Sequence, residues 1–198
     1  MNPIPFPYNP SWPVPDKNEC VSLWAKFNMP EHIRKHCDLV GEIAKCIAQL
    51  ALEKGWDVNV DAVYAAGLLH DLGKAYCIKH GGAHSQLGAS LVMEHTGNPA
   101  IAQGVMHHVF WPGDININNI KQFFLPLVII YSDKRVKHTK VVSIEERFED
   151  LFQRYGTNIK KRNLIQKSKD QVLAIASNFS KILGVDLNAC PFDSRRLV

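Results

Sequence analysis

Nine histidines stand in a chain of 198 residues, and one of them, His70, is followed directly by an acid, Asp71. The pair comes at the end of a stretch, Ala62 to Leu72, that is apolar nearly all round. A helix of that kind belongs inside the protein. An imidazole and a carboxylate buried there without partners would cost several kcal/mol, and a metal ion satisfies both at once. Two ligands do not make a site, so further donors must converge on the pair. Lys74 follows Asp71 by three residues, which on a helical turn sets its ammonium near the same face.

Four stretches occur in order: Ala66-Gly67-Leu68-Leu69-His70-Asp71-Leu72-Gly73-Lys74, Ala83-His84-Ser85-Gln86-Leu87-Gly88-Ala89, His107-His108 and Tyr131-Ser132-Asp133-Lys134-Arg135. With His36 ahead of them, the series His36, His70, Asp71, His84, His108 and Asp133 has gaps of 34, 1, 13, 24 and 25 residues. Over roughly residues 28–155 this pattern resembles the HD-domain metal-dependent phosphohydrolases, of the HDIG type with a binuclear site. The resemblance implies a metal held by His36, His70, Asp71 and Asp133. His84 and His108 stand where two-metal members add histidines, and Asp71 takes the bridging role. It also implies hydrolysis of a phosphate ester or anhydride in a nucleotide-like substrate, as in the diadenosine-tetraphosphate hydrolases and cyclic-dinucleotide phosphodiesterases of the superfamily. Two alternatives stay open: a one-metal nucleoside monophosphate phosphatase, with His84 and His108 lining the cleft, and a non-catalytic nucleotide-sensing module.

The chemistry of this donor set points the same way. Four imidazoles and two carboxylates suit iron, manganese, cobalt, nickel or zinc better than calcium or magnesium. One divalent ion with two neutral histidines and two aspartates sums to zero. Two ions with four histidines and the same aspartates sum to +2, which attracts phosphate. Two metals ~3.5–4 Å apart can clamp phosphoryl oxygens and hold a hydroxide, since a water on zinc has a pKa of ~7. Lys74 and Arg135 are then the candidates to neutralise phosphate charge. Of the remaining histidines, His32 precedes His36 by four residues but lacks the glutamate of H-E-x-x-H, so it reads as a surface residue or one beside a ligand. His107 points ~100° away from His108 on a helix, which leaves one of the two as the ligand, and the family's spacing favours His108. His80, His95 and His138 read as solvent-facing.

The elements that must hold these residues are helical. Ile33, Cys37, Val40, Ala44, Ile47 and Ala51 recur at steps of three and four, with Pro30 suited to the first turn and Gly55 to the stop. Asp61 can cap a helix from Ala62 to Leu72, a third helix fits Ser85–His95, and Asn98-Pro99 opens a fourth through Val109. A fifth fits Ile120–Lys134 with a kink at Pro126. Ser143 to Glu146 has capping-box spacing, and a last helix carries Leu164, Val172, Ile175, Phe179 and Ile182 inward. No stretch alternates long enough to argue a strand. The expected architecture is an all-α, single helical bundle. Residues 1–27 form a proline- and aromatic-rich N-terminal arm with six prolines before residue 16, extended because proline fixes φ and lacks an amide donor. Residues 28–155 form the core and 156–198 a C-terminal helix packed on it.

Composition removes other classes. Apolar residues at 46% and charged residues at 21% exclude wholesale disorder. A net charge of +4 is low for a dedicated nucleic-acid binder, and the run Lys160-Lys161-Arg162 with Lys167 and Lys169 reads as a solvated helix face. The longest apolar run, Phe123–Tyr131, contains Pro126 and is too short for a bilayer. No secretory signal is apparent, and five widely spaced cysteines without C-x-x-C suit a reducing cytoplasm. The expected partner is a small phosphorylated substrate, with neither membrane nor nucleic acid. Oligomeric state is not readable.

Overall fold

All six residues of the first apolar stripe are buried along one long helix. The computed structural model describes residues 3–7, 9–188 and 192. Among these the helices are α1 (Lys17–Lys26), α2 (Glu31–Glu53), α3 (Val60–Leu69), α4 (Lys74–His80), α5 (His84–Thr96), α6 (Pro99–His107), α7 (Phe124–Asp133), α8 (Ile144–Tyr155) and α9 (Ile159–Leu183). The only sheet among the described residues is an antiparallel hairpin, β1 (Val136–Lys137) with β2 (Lys140–Val141), in register Val136 to Val141. The fold is all-α.

Two helices buried nearly all round, α3 and α7, form the centre. Packing α3 onto α2 depends on glycine, because a Cβ on Gly67 would lie 2.5 Å from the Gly41 Cα. No side chain fits that gap, so the backbones touch, and His70 is carried to the level of His36. A second close approach fixes α5: a Cβ on Gly73 would stand 2.6 Å from the His84 carbonyl oxygen and 2.7 Å from the Gly88 nitrogen.

Several boundaries differ from the sequence reading. Asn59, not Asp61, caps α3, its side chain accepting from the Ala62 amide at 2.9 Å. The helix stops at Leu69, and residues 70–73 form tight turns, with Leu72 N–H donating to Leu69 O and Lys74 N–H to Asp71 O. α7 begins at Phe124 rather than Ile120, which puts Pro126 in the first turn, where no helical amide bond is lost. The expected kink is therefore absent. α1 arises from the capping box of Asp16 and Glu19, and its Trp24 indole N–H donates to Leu68 O at 2.8 Å. In α9, Val172, Ile175 and Phe179 are buried, but Leu164 is exposed and Leu183 is buried more deeply than Ile182. The first turns of α9, residues 159–164, are exposed throughout.

Candidate metal centre

Three helices end at one place. His70 is the C-cap of α3, His108 the C-cap of α6, and Asp133 the last residue of α7. Helix C-termini carry partial negative charge, so three of them together favour a cation before any side chain is counted. The two C-cap histidines use one device. His70 Nδ1–H donates to Gly67 O at 2.7 Å and His108 Nδ1–H to Val105 O at 2.7 Å, each satisfying a last-turn carbonyl that the helix leaves unpaired. That bond places the proton on Nδ1 and turns Nε2 inward as a donor atom. His36 on α2 is oriented similarly, Nδ1 lying 3.2 Å from the carbonyl of His138. His138 sits at φ 56° in the β1–β2 turn. Its ring is exposed, yet its carbonyl serves the site, a role with no signal in the sequence.

The inward atoms fall into two groups joined by Asp71. His36 Nε2 lies 3.0 Å from Asp133 Oδ1 and 4.0 Å from Asp71 Oδ2. His70 Nε2 lies 3.7 Å and 3.5 Å from the same two oxygens. On the other side, His84 Nε2 and His108 Nε2 are 3.1 Å apart, at 3.4 Å and 3.6 Å from Asp71 Oδ1. Bonds of about 2.0–2.1 Å set tetrahedral ligand atoms roughly 3.3–3.4 Å apart, so these spacings fit ligands around a cation. His70 Nε2 and Asp71 Oδ1 are buried with no hydrogen-bond partner. Such orphans call for a ligand, and a metal ion facing both meets the need. The residues fit the group.

The structure thus brings together His36, His70, Asp71, His84, His108 and Asp133. His107 does not join them; its ring packs edge-on against Trp111 at 5.2 Å. Lys74 does join, its ammonium 2.6 Å from Asp71 Oδ2. Arg135 does not, and its place as a phosphate contact is corrected here. Its Nε donates to Val142 O at 2.8 Å and its Nη1 to the Tyr131 hydroxyl at 2.5 Å and Leu187 O at 2.6 Å. One step along the helix end turns the side chain toward the C-terminal segment. Lys134 stands at the cluster instead, its ammonium bonded to Asp133 Oδ2. Cys37 also lies within 4.8 Å of His70 and Asp71 donor atoms, and burial pushes its thiol pKa up.

Electrostatics sort the donors. Burial holds His36 and His84 below their ordinary pKa and pushes His108 down to about 3, so these three are neutral at neutral pH. Burial acts the same way on His70, but Cys37 and Asp71 outweigh it and hold the group well above its ordinary value. Burial opposes ionisation of the aspartates too. His70 and Lys74 nevertheless keep Asp71 well below the carboxylate range, and Lys134 and His36 do so for Asp133. Access is one-sided: the side chains of Lys74 and His84 are 36% and 30% exposed, the other donors at most 9%. No helix among the described residues is long and apolar enough to cross a membrane.

Comparison with known proteins follows this geometry. The HD domain model matches residues 33–182. An uncharacterized protein of Methanocaldococcus jannaschii is 27% identical over 137 residues, which is 65% of this chain and 80% of that one. Ribonuclease Y of Dehalococcoides mccartyi is 38% identical over 69 residues, 35% of this chain and 13% of its own. Ribonuclease Y of Enterococcus faecalis is 34% identical over 79 residues, 40% and 14% respectively. The chain therefore spans about an eighth of the ribonuclease Y proteins it resembles. No solved structure matches it. The family match takes in every donor of the cluster, from His36 to Asp133, and the chain belongs to the HD domain family.

Proposed function

We propose that this protein is a metal-dependent phosphohydrolase with two cations in one cluster, acting on a phosphate ester or anhydride of a nucleotide-like compound. One observation carries the reading: the two oxygens of Asp71 face two separate donor groups. His36, His70 and Asp133 would hold one cation with Asp71 Oδ2, and His84 and His108 the other with Asp71 Oδ1. Divalent transition metals bound there supply Lewis-acid polarisation of phosphoryl oxygens and an acidified water as nucleophile. The side chains do the remaining work. Neutral imidazoles add no negative charge, so an incoming phosphate meets a net positive centre. The partly exposed Lys74 ammonium, at the only open side, donates to a phosphoryl oxygen and neutralises charge that grows in the transition state. Lys134 offsets the buried charge of Asp133. The deep walls exclude bulk water, which strengthens these interactions.

The test is metal analysis of the purified protein, together with turnover of bis(p-nitrophenyl) phosphate, nucleoside mono- and triphosphates and a single-stranded RNA. RNA belongs in the panel because of the ribonuclease name of the relatives. The expected result is about two transition-metal ions per chain and hydrolysis of at least one substrate, lost on chelation. No bound metal and no turnover after metal addition would overturn the proposal.

A further inference from the structure

A cavity of about 450 Å³ lies at the far end of α3 from the metal cluster. Ala62 and Val63 form part of its floor, and Val63 is seven residues before His70, about 10 Å along a helix axis. The opposite wall is the proline-rich arm, through Pro5, Phe6, Pro7, Asn9, Trp12 and Val14, which lies outside the stretch matched by the family. The arm does not collapse into the space because it is tethered on both sides. Gln103 Nε2 donates to Ile4 O at 2.7 Å and Asn98 Nδ2 to Pro13 O at 3.0 Å. Pro5, Pro7, Pro10 and Pro13 each have φ fixed by their rings, which narrows the conformations open to the arm.

The walls are aromatic on both sides. Phe6 and Trp12 of the arm pack edge to face at 6.0 Å, and Trp56 and Phe124 of the core do so at 5.5 Å. In a cavity of this size the aromatic walls face water, and a flat ring bound there would replace that contact with apolar burial and ring packing. Charge selects further. Lys121 Nζ lies 4.7 Å from the Trp56 ring centre, and among the described residues no carboxylate pairs with it. Asp57, also on the lining, likewise has no cationic partner among the described residues. The side-chain oxygens of Asn59 and Asn98 cap α3 and α6, and the Asn98 amide nitrogen already donates to Pro13 O.

We propose that this cavity binds a planar, fused-ring aromatic molecule bearing one anionic group, for Lys121, and one N–H donor, for Asp57. Its volume is within the ordinary range of small-molecule sites, about 300–1,000 Å³. Ring faces lie between the arm aromatics and Trp56, the anion reaches Lys121 at the rim, and the tethered arm covers the ligand. The site is separate from the metal centre and stands whether or not the chain is a phosphohydrolase.

The probe is 8-anilinonaphthalene-1-sulfonate, which has the fused rings, the anion and the N–H. It is titrated into the full chain with metal bound, exciting tryptophan and reading dye emission. The expected result is saturable binding of one dye per chain, with emission sensitised by Trp12 and Trp56. Lys121→Glu, an exposed position, and Trp12→Ala each weaken it by about tenfold, the size of a single cation or stacking contact. Phosphodiester turnover and metal content stay unchanged in both. Three results overturn the proposal: no one-site saturation, affinity untouched by both substitutions, or displacement of the dye by excess inorganic pyrophosphate, which would put it at the metal centre.

Discussion

Lys134 occupies one oxygen of Asp133 and leaves the other to His36, so the carboxylate is divided between a buried ammonium and the cation site. In the metal-free protein that ammonium is the chief countercharge for a carboxylate nine-tenths buried. Removing one partner of a buried pair typically costs about 3–5 kcal/mol. Lys134→Met should lose stability of that order without metal and much less with it, because bound cations take over the countercharge. Thermal melts of both proteins, with and without manganese, read the difference. Equal losses in the two conditions would make Lys134 a structural residue only.

Asp71 and the two outer histidines separate one cation from two. Replacing His84 and His108 together by alanine should leave His36, His70, Asp71 Oδ2 and Asp133 intact, and bound metal should fall by half. Asp71→Ala should empty both sides and lower kcat/KM by at least 10²–10³-fold, the scale on which loss of an electrostatic contact to the transition state is felt. Elemental analysis beside steady-state kinetics decides this. Unchanged metal in the double variant would point to a single cation.

How far the sequence could foretell this centre depends on the kind of feature. The all-helical fold was legible because a 3.6-residue stripe such as Ile33 to Ala51 and caps such as Asn98-Pro99 and Ser143 are local signals, and the family resemblance because His36, His70-Asp71, His84, His108 and Asp133 occur in order with their flanking motifs. α1 carried an equally local signal, Asp16 with Glu19, but the prolines ahead of it drew the reading to an extended arm. α4 buries no residue, so it leaves no apolar periodicity to detect. At a helix end, Lys134 and Arg135 differ by one step of rotation, and nothing local shows which points to the cluster. The His138 carbonyl is a backbone atom, outside the reach of residue type altogether. Leu164 matched the inward spacing of α9 but lies in its exposed first turns.

Metal binding should release about one proton per chain near neutral pH. His70 is held above its ordinary pKa, so the metal-free protein carries a proton there that a cation must displace from Nε2. His36, His84 and His108 are lowered by burial and already neutral. Four unperturbed imidazoles would instead release more protons as pH falls through about 6.5. In this protein the number should rise less as pH falls through that value, since burial lowers the other three groups. Calorimetric titration with manganese in two buffers of different ionisation enthalpy gives the count. A value climbing toward four on acidification would show that burial does not hold these imidazoles neutral.

Lys74 and Arg135 are two basic residues with opposite expected phenotypes. The Lys74 ammonium reaches Asp71 from the open side of the cluster, where the proposed phosphate substrate would enter. Lys74→Met should therefore lower kcat/KM on the order of 10²-fold while the protein still binds metal. Arg135 spans Val142, Tyr131 and Leu187 with a planar fork that a lysine cannot reproduce. Arg135→Lys should cost roughly 1–3 kcal/mol of stability from the unmade buried bonds and leave KM for bis(p-nitrophenyl) phosphate where it was. Urea unfolding and steady-state kinetics on the two variants separate the roles. If Arg135→Lys raised KM and spared stability, its guanidinium would have to swing to the substrate, away from Val142, Tyr131 and Leu187.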